Sequence, residues 1–248
     1  MGVNMKKIFF LILWLFAFNI TSYACFDTYL FLKKASMVYP YRSIVMELNG
    51  EYSFTSFKDP SNDMFFSNIN FYYGIARRIS LQASLGSSEK PRGEFKLDTY
   101  GIRGVFNAYS SLNRSYTLDV IFEHRGMFTE KANEFEISAP SIFYNNDFTY
   151  VIHPTFSYLL ESKDYQIGGH LGVFYELNEK SVIGLGYEYA SIHSSSYLGQ
   201  RLTESEQSAS LFFGAYLGNR VYLQNELAKG ISNSRDYGFA LTTKIVLN

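Results

Sequence analysis

The chain has 248 residues, enough for one large domain or two small ones, with 21 Tyr and 23 Phe against a single Trp and a formal net charge of -1. Mean hydropathy is -0.08, which excludes the long apolar runs of a helical membrane protein, and the lack of a basic excess excludes a nucleic-acid binder, which needs a basic stripe. Aromatic side chains in this number suit a pleated β surface.

At the N-terminus, Lys6 and Lys7 precede the apolar run IFFLILWLFAF and then Ser22-Tyr23-Ala24. A basic start, a short apolar core and a small-x-small site read as a secretory signal peptide over 1–24, cut before Cys25. The apolar core is short for a membrane span, which takes about 20 apolar residues. Removing it takes away two lysines and no acid, so the mature chain is mildly acidic. Cys25 is the only cysteine, and no internal disulfide can form. A cysteine directly after the cut raises lipidation, but Ser22 and Tyr23 match poorly the Leu and small residue that usually precede a lipidated cysteine. Residues 25–42, CFDTYLFLKKASMVYPYR, are basic and broken by Pro40; they read as a lead-in, a plug or an additional strand.

From residue 43 onward no helical stripe survives. Side chains alternate faces along a strand, and alternating runs are predicted as strands at 43–54, 64–75, 79–86, 94–106, 114–125, 134–144, 148–160, 165–177, 181–192, 204–217, 220–228 and 236–247. In SVIGLGYEYASI, Ile183, Leu185, Tyr187 and Tyr189 share one parity, while Gly184, Gly186, Glu188 and Ala190 share the other. Ile44, Met46, Leu48 and Tyr52 likewise oppose Glu47, Asn49 and Glu51, and Ile79, Leu81, Ala83 and Leu85 oppose Ser80, Gln82 and Ser84. The connections alternate as well. One set is mostly short, as at Ala76-Arg77-Arg78, Asn145-Asn146-Asp147 and Gly218-Asn219; the other is mostly longer and polar, as in SFKDPSND, SSEKPRG and HSSSYLGQRLT.

A soluble sandwich would alternate too, with its apolar face inside. Here the apolar sets carry Tyr or Phe near strand ends, as an aromatic girdle requires, and the polar sets are rich in Gly, Ser, Thr, Asn and Gln, as a wet interior requires. With short turns at one end and long loops at the other, residues 43–248 resemble the Gram-negative outer-membrane β-barrels. The resemblance rests on pattern, with no residue signature of a particular family. It implies an all-β fold, an antiparallel up-and-down transmembrane β-barrel of about twelve strands. Location in the bacterial outer membrane follows, with lipid outside, the assembly machinery as a partner during insertion, and residues 25–42 as a periplasmic lead-in or lumen plug. The class commonly ends on an aromatic residue, whereas KIVLN ends on Asn248.

On the inward parity the lining residues are the acids Glu47, Glu51, Asp98, Asp119, Glu123, Glu136, Glu188, Glu206 and Glu226, with Lys96 and Lys244 as bases. Arg103 is ambiguous, because Gly101 is a place for a bulge that would flip the parity. An acidic lining favours cations. The bland alternative is neutralised pairs in a barrel filled by its own side chains. His153 and His170 also point inward. A turn at 161–164 sets residue 155 opposite His170 and leaves His153 as a diagonal neighbour about 7–8 Å away. Two histidines could serve a metal or act as a base, but no third ligand is evident and no cofactor is expected.

An enzyme needs a nucleophile and a base within reach. His193 beside Ser194, Ser195 and Ser196 sits in a predicted outer loop, Glu123 and His124 fall on opposite faces, and no G-x-S-x-G occurs. The pattern therefore favours a porin-like channel for passive diffusion of small hydrophilic solutes, with cation preference. The alternatives are a closed structural or surface-interaction barrel, and a soluble periplasmic or lipid-anchored β protein.

Overall fold

The computed structural model describes residues 36–54, 64–89, 95–128, 133–191, 206–232 and 237–248. The signal peptide at 1–24, the lipidation question at Cys25, residues up to 35 and the serine run at 194–196 lie outside the described residues.

Thirteen strands follow one another: β1 (Ile44–Phe54), β2 (Met64–Ala76), β3 (Ile79–Glu89), β4 (Phe95–Ser110), β5 (Tyr116–Met127), β6 (Asn133–Ser138), β7 (Ser141–Asn145), β8 (Phe148–Leu159), β9 (Asp164–Asn178), β10 (Ser181–Ala190), β11 (Glu206–Leu217), β12 (Val221–Ser232) and β13 (Tyr237–Val246). The single strand expected at 134–144 is in fact two, β6 and β7. Both pair with β5 on one side and β8 on the other. They part at Ala139-Pro140, where proline has no N–H for the ladder. They therefore count as one stave. Neighbours in sequence pair antiparallel, and β13 returns to pair with β1 from Val45↔Val246 to Phe54↔Tyr237. The sheet closes into a twelve-stave up-and-down barrel, which leaves no edge to protect.

The tight turns gather at one end. Asn146 takes a left-handed φ of 53° between β7 and β8, and Gly218 a φ of 73° between β11 and β12, the backbone region that asparagine and glycine tolerate best. Both chain ends of the wall lie at this same short-turn end. The Asn248 side chain accepts from Ile44 N at 2.7 Å and donates to the Arg42 carbonyl at 2.9 Å.

Alternation is resolved by burial. Ile69, Ile102, Ile152, Leu171, Leu185 and Leu241 are exposed on the outside of the wall. Tyr41, Tyr73, Tyr109 and Tyr175 ring it toward the short-turn end, and Tyr52, Phe128, Tyr158 and Tyr165 toward the long-loop end. Exposed apolar side chains on one whole face of a closed sheet need lipid, and this excludes the soluble reading, in which the apolar face would be inside.

The bulge expected near Gly101 lies three residues earlier. Gly86 faces Thr99 while Ser87 faces Leu97, so Asp98 is the extra residue on β4. Beyond it the inward set is Gly101, Arg103, Val105 and Asn107.

Candidate functional site

The lumen has a floor, formed partly by the 25–42 segment read as a possible plug and partly by apolar inward residues of the wall that the sequence reading did not single out. Near the short-turn end several inward positions are apolar, interspersed with buried polar ones such as Ser80, Asn107, Thr117 and Asp119. Ile142, Val151, Phe174, Val182 and Phe212 form one buried cluster, Val105 and Ile121 another, and Val45 and Tyr72 a third. Phe174 and Phe212 meet at 4.9 Å between ring centroids. The signal was present in the sequence: TYVI, GVFY and SVIG are apolar on both faces, which a wall between lipid and water would not need.

Residues 36–39 complete this floor. Met37 packs against both the Ile142 and the Val105 clusters, Val38 joins Val105 and Ile121, and Tyr39 joins Val45 and Tyr72. The Tyr39 ring stands 4.6 Å from Tyr72. Asp119, fully buried on β5, accepts from Ser36 Oγ at 2.9 Å, from Met37 N at 2.6 Å and from Asn107 Nδ2 at 2.7 Å. The backbone then leaves the lumen over Gly74. A Cβ at that position would run into the Pro40 carbonyl, so only glycine fits beneath this crossing.

Charge begins at the floor. Lys244 Nζ lies 2.8 Å from Glu47 Oε2 and 3.3 Å from the Tyr39 hydroxyl, while Asn70 donates to Glu47 at 2.6 Å. This pair bridges the first and last strands, because Glu47 and Lys244 are register partners. On the opposite side of the sequence, Arg103 meets Glu123 at 2.6 Å, and Arg125 reaches Glu123 at 2.7 Å and Glu136 at 3.1 Å. Arg103 therefore faces inward. Asp98 accepts from Ser88 Oγ at 2.7 Å.

His153 and His170 are direct partners across β8 and β9, not diagonal ones, with ring centroids 5.4 Å apart. The four-residue turn starts one residue earlier than expected, so Leu159 pairs with Asp164 and every partner moves by two. Glu188 follows His170 in the same row, its carboxylate 3.9 Å from Nδ1. Among the described residues no group of three or more His, Cys, Asp or Glu is placed to hold a metal ion.

Exposure along the inner wall is uneven. Glu47, Glu51, Glu123, Glu226, His153 and Lys244 are buried, Glu136 and Glu206 are half-buried, and Lys96 is exposed opposite Ser88. The side chain of Glu188 is 27% exposed and that of Arg125 44%. Beyond the floor the inner wall is charged and polar, with Glu51, Ser53, Ser88 and Asp98 still buried toward the long-loop end. His124 points away from the lumen, its ring 4.8 Å from Phe135 on the lipid side, so it cannot serve as a base for Glu123 or any lumen group.

No protein-family model matches the chain, and no curated protein sequence matches it. Solved structures do. An outer-membrane channel from Pseudomonas putida F1 superposes with a TM-score of 0.65 at 9% identity, covering 87% of this chain and 98% of that one. The KdgM porin gives 0.59 at 10% identity over 82% of this chain and 99% of its own. The NanC porin gives 0.57 at 10% identity over 82% and 99%. A closed antiparallel barrel girdled by apolar side chains is also the form in which strands can cross a bilayer. On fold and belt together, the chain is a closed membrane-type β-barrel with the architecture of bacterial outer-membrane channel and porin proteins.

Proposed function

We propose that the chain is a channel for passive diffusion of small hydrophilic solutes across the outer membrane of a Gram-negative bacterium, with a preference for cations. The observation that carries it is the charge of the inner wall above the floor. Glu51, Asp98, Glu136, Glu188, Glu206 and Glu226 occupy inward positions, and the inward bases are limited to Lys96, Arg103, Arg125 and Lys244 among the described residues. An excess of carboxylates lowers the energy of a cation in a narrow pore and raises that of an anion. KdgM was solved in complex with oligogalacturonate, a polycarboxylate; an acid-rich wall disfavours such a solute here. The reading implies lipid, small solutes and the assembly machinery as partners, export by the signal peptide at 1–24, and neither nucleic acid nor a cofactor.

The test is the reversal potential of the folded mature chain in a planar bilayer under a salt gradient. A cation-sign potential is expected, and an anion-sign potential would reject the preference. A second reading, a closed barrel acting through its surface, is favoured by the floor and by the burial of most inner groups. Under it, no conductance appears even when residues 36–39 are removed.

A further inference from the structure

Residues 36–39 occupy the barrel without belonging to its wall. Every strand from β1 to β13 finds its ladder neighbours within the closed sheet, so the wall is complete without this segment. Yet at the height of the floor the segment joins three apolar clusters of the inner wall. Tyr39 packs with residues of β1 and β2, Val38 with residues of β4 and β5, and Met37 hydrogen-bonds to β5 and packs against the Ile142 cluster.

Its attachment is uneven. On one side it is covalently continuous with β1 through residues 40–43, where Ser43 donates twice to the Pro40 carbonyl, from N at 2.9 Å and Oγ at 2.6 Å, and Arg42 N donates to Gly74 O at 2.7 Å. On the other side its polar hold is concentrated on one carboxylate: Asp119 takes both Ser36 Oγ and Met37 N. Tyr39 adds a longer contact to Lys244. A segment hinged at one end, latched at the other and seated on apolar side chains can leave without breaking a single ladder bond.

We infer that residues 36–39 form a removable plug closing the short-turn mouth, with residues 40–43 as its hinge and Asp119 as its latch. This rests on the channel reading and supplies its regulation: the barrel is shut until the plug is drawn out. Asp119 is a positioning residue. It touches the plug and has no contact with a permeating solute while the plug is seated.

The experiment separates plug release from conduction. In a Cys25→Ser background, Val38→Cys reports the plug by its reaction with a membrane-impermeant maleimide. Asp119→Ala is then added, with Gly74→Ala as a second route that displaces the plug backbone and leaves Asp119 intact; heat-shifted gel mobility verifies that each variant is folded. Hydrogen bonds to a charged acceptor are each strong enough that losing two should raise the labelling rate about tenfold or more, and conductance should rise with it. Unchanged labelling in both folded variants would overturn the plug. Raised labelling with conductance equal to that of a conducting parent would also overturn it, while leaving the channel reading intact. Raised labelling with no conductance in any variant would reject the channel reading and the plug's gating role together.

Discussion

Glu47 and Lys244 are almost fully buried and 2.8 Å apart. Desolvation offsets much of the attraction within such a pair, but removing one partner leaves the other charge stranded. Glu47→Ala should therefore lower the unfolding free energy in urea by about 3–5 kcal/mol, and the double variant Glu47→Gln with Lys244→Met should recover most of it. A double variant as unstable as the single one would show that packing, not charge, is at stake. Outside the bilayer, Glu161 in the β8–β9 turn accepts from Asn133 N at 2.8 Å and from its Nδ2 at 2.9 Å. The Asn133 N–H holds the Glu161 carboxyl below its ordinary value. A group lowered in the folded state contributes above its unfolded pKa and loses that contribution as the pH falls through the folded one. Protection of the Asn133 amide, corrected for intrinsic exchange, should thus be constant near neutrality and fall only below the ordinary glutamate pKa of about 4.3; a flat profile would show that the carboxylate does not hold the β6 edge. At this scale the sequence placed Glu47, Glu123 and His153 on the inward parity, because parity depends only on counting along a strand. It could not pair His153 with His170, because a four-residue turn displaced by one residue keeps every face and moves every partner by two.

Strands were legible wherever the two faces meet different media. β10 is the plainest case: Leu185 is 60% exposed on one side, while Gly184 and Gly186 are buried on the other. Leu185 lies mid-strand, so Leu185→Arg should cost about 2–4 kcal/mol in a vesicle-based unfolding titration. The same change at Leu112, fully exposed at the tip of the β4–β5 turn, should stay within about 0.5 kcal/mol. Equal costs would mean that Leu185 does not face lipid. The reading failed where the media were not different. Val151, Phe174 and Val182 sit between lipid and an apolar floor, so the alternation fades toward the short-turn end and hides the plug's seat. It also put the bulge at Gly101 rather than at Asp98, although Asp98 itself lies inward as read, since a bulge is a local count of two residues against one and leaves no compositional mark. Pro140 was visible in the sequence, yet a proline can be absorbed between half-strands without ending the stave.

For the whole molecule, the number of staves followed from the number of alternating runs, and the even count placed both ends of the wall at the same mouth. The contents of the lumen were less legible, because they depend on which strands face each other across empty space. Closure itself is testable. Removing residues 237–248 takes away β13 and its pairing to β1 and β12. The truncated chain should lose the heat-shifted band of a folded barrel altogether, since an eleven-stave remainder would expose two edges. A surviving shifted band would show that β1 and β12 can close on each other.

The seam where β13 meets β1 has a consequence in time. Ile44 and the Asn248 side chain that caps it are 204 positions apart, so contacts at this seam have among the greatest loop entropies to overcome. A chain emerging from its N-terminus can zip each hairpin as it appears, but it cannot test its circumference until the final strand exists. Folding should therefore show fast local phases and one slow concerted step, and Glu47 against Lys244 acts as a registration mark for it. A slip of one residue at the seam would set Lys244 beside a lipid-facing neighbour and turn the last strand inside out. Until that step the open sheet has two adhesive margins, and the interval before closure is when this protein is most exposed to aggregation.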